Sequence, residues 1–221
     1  MNLAFESFEP INVKSGRVTV LDVASPQHYL ELITGFKDDT DQLHVSADDW
    51  ELAQTSKLSY WLGDPMLELD LNKVFMKKVL ARLSVLATDE WSQLADEVRI
   101  VKTHVLETSY LLDLPLEVSS SLSLEAVIKS AGLTIPEHLN QDPYVKMETL
   151  IKIITEINEQ RMLVLTNVSH YLNVTQFCQL AEVVADAQVP LLLIEFSDCN
   201  RRTIFEKCDY IYIDKDFVDW R

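Results

Sequence analysis

Glycine is the first shortage in this sequence. Only Gly16, Gly35, Gly63 and Gly132 occur in 221 residues. None stands near enough to another to build a phosphate-cradling loop or a dinucleotide fingerprint. Lys14-Ser15-Gly16-Arg17 is at best the remnant of a turn at a sheet edge. Cysteine is also scarce, and Cys178, Cys199 and Cys208 are an odd number. They point to a reduced, cytoplasmic protein without a disulfide framework. No apolar run reaches the roughly 20 residues that cross a bilayer. The opening Met1-Asn2-Leu3-Ala4-Phe5-Glu6 lacks the basic and long apolar segments of a signal peptide. No serine lies in a Gly-x-Ser-x-Gly elbow. His28, His44, His104, His138 and His170 are scattered, and pairing His170 with Cys199 or Cys208 gives neither zinc spacing nor a nucleophile signature.

Positive charge is the last shortage. Nineteen Lys and Arg face 35 Asp and Glu, a net charge of -16. That balance argues against a uniformly basic nucleic-acid binder and favours solubility. It leaves DNA binding open, because affinity for phosphate depends on where the cations gather.

What the sequence does contain is organised around Arg161–Asp198. Met162–Val168 and Val189–Phe196 are short apolar runs almost free of charge, as expected of parallel strands covered on both faces. Between them Val174, Phe177, Cys178, Ala181, Val184 and Ala185 recur at helical spacing, which also turns Cys178 toward the core. Asn173 stands where an N-cap belongs, with Gln176 three residues on, a loose capping box. Strand, amphipathic helix, strand is a βαβ unit. Tyr210–Ile213 adds a further apolar run, so the C-terminal third is α/β.

The N-terminal 25 residues predict strands around Leu3–Phe8 and Val18–Val23. Pro26 starts a helix through Ile33, with Gly35 as its C′ residue. Asp38, Asp39, Asp41, Asp48, Asp49 and Glu51 follow without a Lys or Arg among them, and read as a solvated acidic loop or helix face, with a cation site as the alternative. From about Lys57 to residue 145 the pattern is helical, with helices predicted over Leu67–Leu86, Glu90–Leu112 and Leu122–Ala131, the last ended by Gly132. Asp142-Pro143 marks a boundary, and a helix over Val145–Gln160 leads back to the sheet. The expected organisation is an α/β head of residues 1–56 and 146–221, interrupted by a helical leg of residues 57–145. If the head has the layout of a P-loop NTPase, it is a degenerate one without a Walker A loop.

The clearest local charge signal is Asn72–Arg82. Lys73, Lys77, Lys78 and Arg82 occur here without an acid. On a helix they form i,i+4 pairs turned away from Phe75, Val79, Leu80 and Leu83. Like charges so arranged repel by a few tenths of a kcal/mol per pair, which invites an anionic partner. An ordinary solvated helix face would read the same way. Glu107, Asp113, Glu117 and Glu125 cluster around the turn between the second and third leg helices. Carboxylate oxygens suit calcium, although no Asp-x-Asp-x-Asp-Gly loop is present.

Taken end to end, the chain resembles the small, ring-forming CRISPR-associated protein of type II-A systems, which serves in spacer acquisition. The resemblance is carried by Phe8–Gly16, by Leu124–Gly132, and by Met162–Val168, Pro190–Glu195 and Tyr210–Asp216. It implies a P-loop-like head without NTPase activity and a helical leg. It further implies a homotetrameric ring whose positive hole admits double-stranded DNA ends, and calcium at acidic residues. The partners implied are the CRISPR integrase complex and the RNA-guided effector nuclease. On that basis the residues assigned to DNA are Lys73, Lys77, Lys78 and Arg82, with Lys14 and Arg17 as weaker choices, making phosphate contacts independent of base sequence. Asp113 and Glu117 are assigned to calcium. The family is more densely acidic near this point, where the present chain reads Ser119-Ser120-Ser121. Two other readings stand beside this one: a divergent nucleotide hydrolase, and an acidic protein-interaction scaffold.

Overall fold

The computed structural model describes residues 1–5, 8–40, 43–47, 52–87, 91–119 and 123–220. Asp41, Asp48, Asp49 and Glu51 of the acidic stretch, Ser120 and Ser121, and the expected helix starts at Glu90 and Leu122 lie outside the described residues. The chain forms two compact units, Met1–Leu71 with Pro136–Arg221, and Asn72–Ile135.

In chain order, β1 (Asn2–Phe5), β2 (Ile11–Asn12), β3 (Val18–Val23), α1 (Pro26–Asp38), β4 (Leu43–Ser46), β5 (Leu52–Ala53), α2 (Thr55–Leu58) and β6 (Ser59–Gly63) come first. Three helices follow, α3 (Leu71–Leu86), α4 (Trp91–Ser109) and α5 (Leu124–Ser130). The chain continues with α6 (Pro143–Glu156), β7 (Met162–Thr166), α7 (Val174–Ala187), β8 (Leu191–Phe196), β9 (Asp209–Ile213) and β10 (Asp219–Trp220).

The larger unit is α/β. Its main sheet runs β10-β9-β3-β8-β7-β6, parallel throughout except for the antiparallel edge strand β10. The continuous Val, Leu and Ile runs form its interior because helices and a second sheet cover both faces. Every residue of β3 and β7, and all of β8 up to Glu195, is buried. The predicted βαβ unit is β7-α7-β8, with β7 and β8 paired. Its capping box is complete, since Asn173 accepts from the Gln176 amide at 3.0 Å and Gln176 accepts from the Asn173 amide at 3.0 Å.

The second sheet, β2-β1-β4-β5, is antiparallel. Leu3, Phe5, Leu43 and Val45 from it share one core with Leu32 and Phe36 of α1 and with Val164, Leu192 and Ile194 of the main sheet. Strands of two to four residues are too short to leave a period in the sequence, which is why β2, β4 and β5 were not expected.

Four features differ from expectation for identifiable reasons. Helix α1 continues past Gly35, which is buried inside it; a Cβ there would lie 2.8 Å from the Leu43 Cβ. Gly35 is therefore a close-packing position, and the left-handed cap is Asp39, at φ 55°. The Asp39 carboxylate also accepts from the Thr55 amide at 2.9 Å, tying two distant turns together. Residues 59–63 form strand β6, paired in parallel with β7, within the stretch read as helical. Leu67 is not yet helical, because the Asp64 carboxylate accepts from the Met66 and Leu67 amides at 2.9 and 3.0 Å and holds a turn. Finally, α6 begins earlier than Val145, with Asp142 as N-cap accepting from the Val145 amide at 2.9 Å.

The smaller unit contains α3 from Asn72 onward, α4 and α5. Asn72 closes it by exchanging two hydrogen bonds with the Ile135 backbone, at 2.9 and 2.8 Å. Ser123 caps α5 by accepting from the Ala126 amide at 3.1 Å.

Candidate functional site

Helix α3 presents the predicted cations. Lys73, Lys77, Lys78 and Arg82 are all exposed, while Phe75 is wholly buried and Val79, Leu80 and Leu83 are half-buried. The helix spacing therefore separates an apolar side from a basic one, as the 3.6-residue period requires. Lys77 lies close enough to Glu125 of α5 for the two charges to interact. Glu125 itself pairs with Lys129 at 2.9 Å, which together with that charge lowers its pKa.

Lys14 and Arg17 belong to the other unit, at the turn before β3. Both are exposed. Arg17 donates to Asp209 at 2.6 Å, and this hydrogen bond, with the carboxylate charge, raises the guanidinium pKa. Gly16 supplies the positive φ of 72° that the turn needs. This turn lies at the amino end of β3. Ligand crevices in open α/β sheets form beyond the carboxyl ends of the strands, so it is not the relic of a phosphate loop.

The acidic residues do not converge. Glu107 faces His104 at 3.2 Å and Glu125 is held by Lys129. Asp113 and Glu117 are exposed. Among the described residues, no group of three or more His, Cys, Asp or Glu is gathered as a metal ion requires. The donor chemistry suits calcium, but among the described residues these side chains do not gather into a calcium cage.

The densest polar arrangement stands at the carboxyl ends of the parallel strands. Asp22 and Glu195 are register partners on β3 and β8, so their side chains emerge side by side on one sheet face. Both are wholly buried. Arg201, in the segment between β8 and β9, donates to Asp22 from Nε and Nη2, each at 2.9 Å. Its Nη1 donates to Ser169 Oγ at 3.0 Å. Ser169 in turn donates to Glu195 from its amide at 3.0 Å and its hydroxyl at 2.6 Å. Tyr210 donates to Asp22 at 2.9 Å and accepts from the Arg201 amide at 2.8 Å. Burial pushes the Glu195 carboxyl up to about 7, against the pull of Ser169 and Arg201. Burial also works against the Arg201 guanidinium, yet the bond to Asp22 leaves it above its usual value.

A second cluster adjoins it. Asp64 accepts from the Tyr171 hydroxyl at 3.0 Å and from Asn167 Nδ2 at 3.3 Å. Tyr29 donates to Asn167 Oδ1 at 2.8 Å. Burial raises the Tyr29 phenol to about 12. Sequence reasoning passed over Asp22 and Glu195. The signal was present, since each is the lone charge inside its strand, Val18-Thr19-Val20-Leu21-Asp22-Val23 and Leu191-Leu192-Leu193-Ile194-Glu195-Phe196. The three cysteines are free, and Cys178 is only partly buried. Cys199 meets Ser197, not His170.

The family described as CRISPR-associated protein (Cas_Csn2) matches residues 36–217. The chain belongs to the Csn2 family. The Csn2 match takes in the α3 cations, Asp113, Glu117, Glu195 and Arg201, and leaves Lys14, Arg17 and Asp22 outside it. Among solved structures, the crystal structure of Stu0660 of Streptococcus thermophilus is similar at 12% identity and a TM-score of 0.48, covering 90% of this chain and 70% of that one. No curated protein matches the chain.

Proposed function

We propose that this Csn2-family protein binds the ends of double-stranded DNA as a homotetrameric ring and catalyses no reaction, serving CRISPR spacer acquisition beside the integrase complex and the RNA-guided effector nuclease. The observation that carries the reading is the basic side of α3. In a chain of net charge -16, Lys73, Lys77, Lys78 and Arg82 gather on one exposed helix face. Rotational symmetry would multiply that face around an opening, where phosphate contacts need no base readout.

Self-association has support of its own. Ile100, Val101, Val105, Leu111, Leu112 and Leu114 of the smaller unit are exposed, and exposed apolar residues close together are what an association surface presents. Calcium fits only as an ion shared between copies. Asp113 and Glu117 supply hard oxygens, whereas calcium takes about six to eight ligands. No helix among the described residues is long and apolar enough to cross a membrane, and a cytoplasmic location belongs to the proposal.

The head supports the absence of catalysis. Counted from β3, its parallel strands run fifth, first, fourth, third, second across the sheet, an order compatible with a P-loop-like layout. The loop after the first of them, Ala24-Ser25-Pro26, has no glycine. Ser25 instead caps α1 by accepting from the His28 amide at 3.4 Å. No backbone nest is left there for a triphosphate.

The test is binding of linear duplex across a salt series. Affinity should fall steeply as salt rises, and each phosphate contact removed should flatten the log–log slope by about 1. The double substitution Lys73→Glu with Lys77→Glu should abolish most binding; unchanged affinity sinks the assignment. Closed circular DNA should bind more weakly than linear DNA of equal length. Size in solution with and without calcium tests the ring, and ATP turnover by the purified protein would favour the hydrolase reading instead.

A further inference from the structure

Two carboxyl groups, Asp22 and Glu195, lie side by side in a dry interior and face a single guanidinium. If both were ionised, Arg201 would leave one negative charge uncompensated where water does not reach, a costly arrangement. The bonding is unequal. Arg201 is bidentate on Asp22, whereas its Nη2 stands 4.0 Å from Glu195 Oε2. Asp22 is matched, and Glu195 has Ser169 and only a longer ion pair to the guanidinium.

The surrounding groups do not repair the imbalance. From the turn after β7, Ser169 offers Glu195 only neutral donors. From α1, Tyr29 lies within electrostatic range of Glu195 and of Asp64, and adds no cation. Tyr171 stands in the same relation to these two carboxylates. From β9, Tyr210 and Tyr212 face Asp22. Arg201 is the one cation that the structure connects to this cluster among the described residues.

Arg201 sits on the segment Ser197–Cys208, which joins β8 to β9 without a helix. The segment has two anchors. One is apolar: Phe205 is buried between Phe177 of α7 and Tyr210, with ring centroids 4.9 and 5.3 Å away. The other is polar, made of the Arg201 side chain on Asp22 and the Arg201 amide on the Tyr210 hydroxyl. Residues Asp198–Asn200 between the strand end and the polar anchor are exposed.

We propose that Glu195 holds a proton while Arg201 is docked, and that its loss to bulk water releases the polar anchor, making Ser197–Arg202 a pH-operated latch on the head. The direction follows from linkage. In the docked state burial is the largest influence on Glu195 and favours its neutral form. Swinging Arg201 outward removes a charge that favours ionised Glu195 but also admits water. Because burial outweighs the guanidinium, the open state binds fewer protons and gains population as pH rises. Phe205 stays seated, which confines the movement to the part of the segment before it.

The inference is independent of DNA binding, and wild-type protein alone can decide it. The side-chain carboxyl carbon of Glu195, followed by NMR, should titrate near neutrality. Exchange protection of the Arg201 amide, corrected for its intrinsic rate, should fall by up to about tenfold per pH unit as pH rises toward that midpoint and level off above it. Glu195→Gln should flatten the profile. Asp22→Asn should move the midpoint down, because the guanidinium then serves Glu195 alone. Titration of Glu195 below pH 5 would overturn the latch. So would Arg201 protection constant from pH 5.5 to 8.5, or a Glu195→Gln profile that follows the wild type. Should either variant fail to fold, the two wild-type measurements stand without it.

Discussion

The two units of this chain use the same amino acids to opposite ends. In the head, apolar residues disappear into a core, and the polar groups Asp22, Ser169, Glu195, Arg201 and Tyr210 that go with them are joined by hydrogen bonds. In the helical unit only Phe75, Ala95 and Ile128 are buried among the described residues, while Leu111 is 85% exposed and Val101 60%. The head is stabilised by its own interior. The helical unit displays its side chains, cations on one helix and apolar residues on another, to whatever meets them. Burial is what makes a side chain structural here, and its lack is what leaves one available to a partner.

The largest test of that contrast is a pair of truncations. Leu192→Ala, in the centre of the sheet, should cost about 3 kcal/mol in urea denaturation. Leu111→Ala should change monomer stability by less than about 0.5 kcal/mol and weaken self-association measured by sedimentation. Equal costs would erase the distinction between the units.

Next in size is the pH response of the head. The Glu195 pKa is raised by folding from an ordinary 4.5 to about 7, so the folded state binds the extra proton. Its contribution to stability is complete below pH 4.5 and is lost as pH rises through about 7. Denaturation free energies should therefore fall by on the order of 2 kcal/mol between pH 5 and 8, and Glu195→Gln should remove that slope. A slope unaltered in the variant would mean that another group carries it.

Capping allows a finer comparison. Asn173→Ala removes a reciprocal cap from a helix packed on the sheet and should cost about 1 kcal/mol of global stability. Ser123→Ala removes a similar cap from α5, and its effect should appear as local amide exchange in residues 124–130, not in the global transition. The smallest effect on folding belongs to Lys73→Ala. It should leave the denaturation midpoint in place and lower the salt slope of DNA binding by about 1. A shift in the midpoint would make Lys73 part of the fold and not part of an interface.

Much of the head was legible because its signals are local. β3, β7 and β8 announce themselves as continuous apolar runs, and Asn173 with Gln176 announces the start of α7. The alternation of Lys73, Lys77, Lys78 and Arg82 with Phe75, Val79 and Leu83 defines one basic side of α3 through residue spacing alone. Gly35 was misread because glycine after a helical run resembles a cap; only the approach of Leu43, eight residues on, reveals a packing role. The strand β6 was hidden in a helical stretch because its partner, β7, lies about a hundred residues away. Asp22 and Glu195 were visible as odd charges but had no meaning separately.

The sequence by itself determined the parallel strands, the capped helix between them, the separation of cations from apolar residues on α3, and the lack of any glycine-rich phosphate loop. Each of these depends on residues within one or two turns or one strand, where periodicity and capping chemistry act. Tertiary structure alone decided that Asp22, Ser169, Glu195, Arg201 and Tyr210 meet, and that Arg17 is drawn to Asp209. Those outcomes depend on strand order and register, which bring together side chains up to 192 positions apart. A dry interior then makes the resulting charge balance matter, because water is no longer there to screen it.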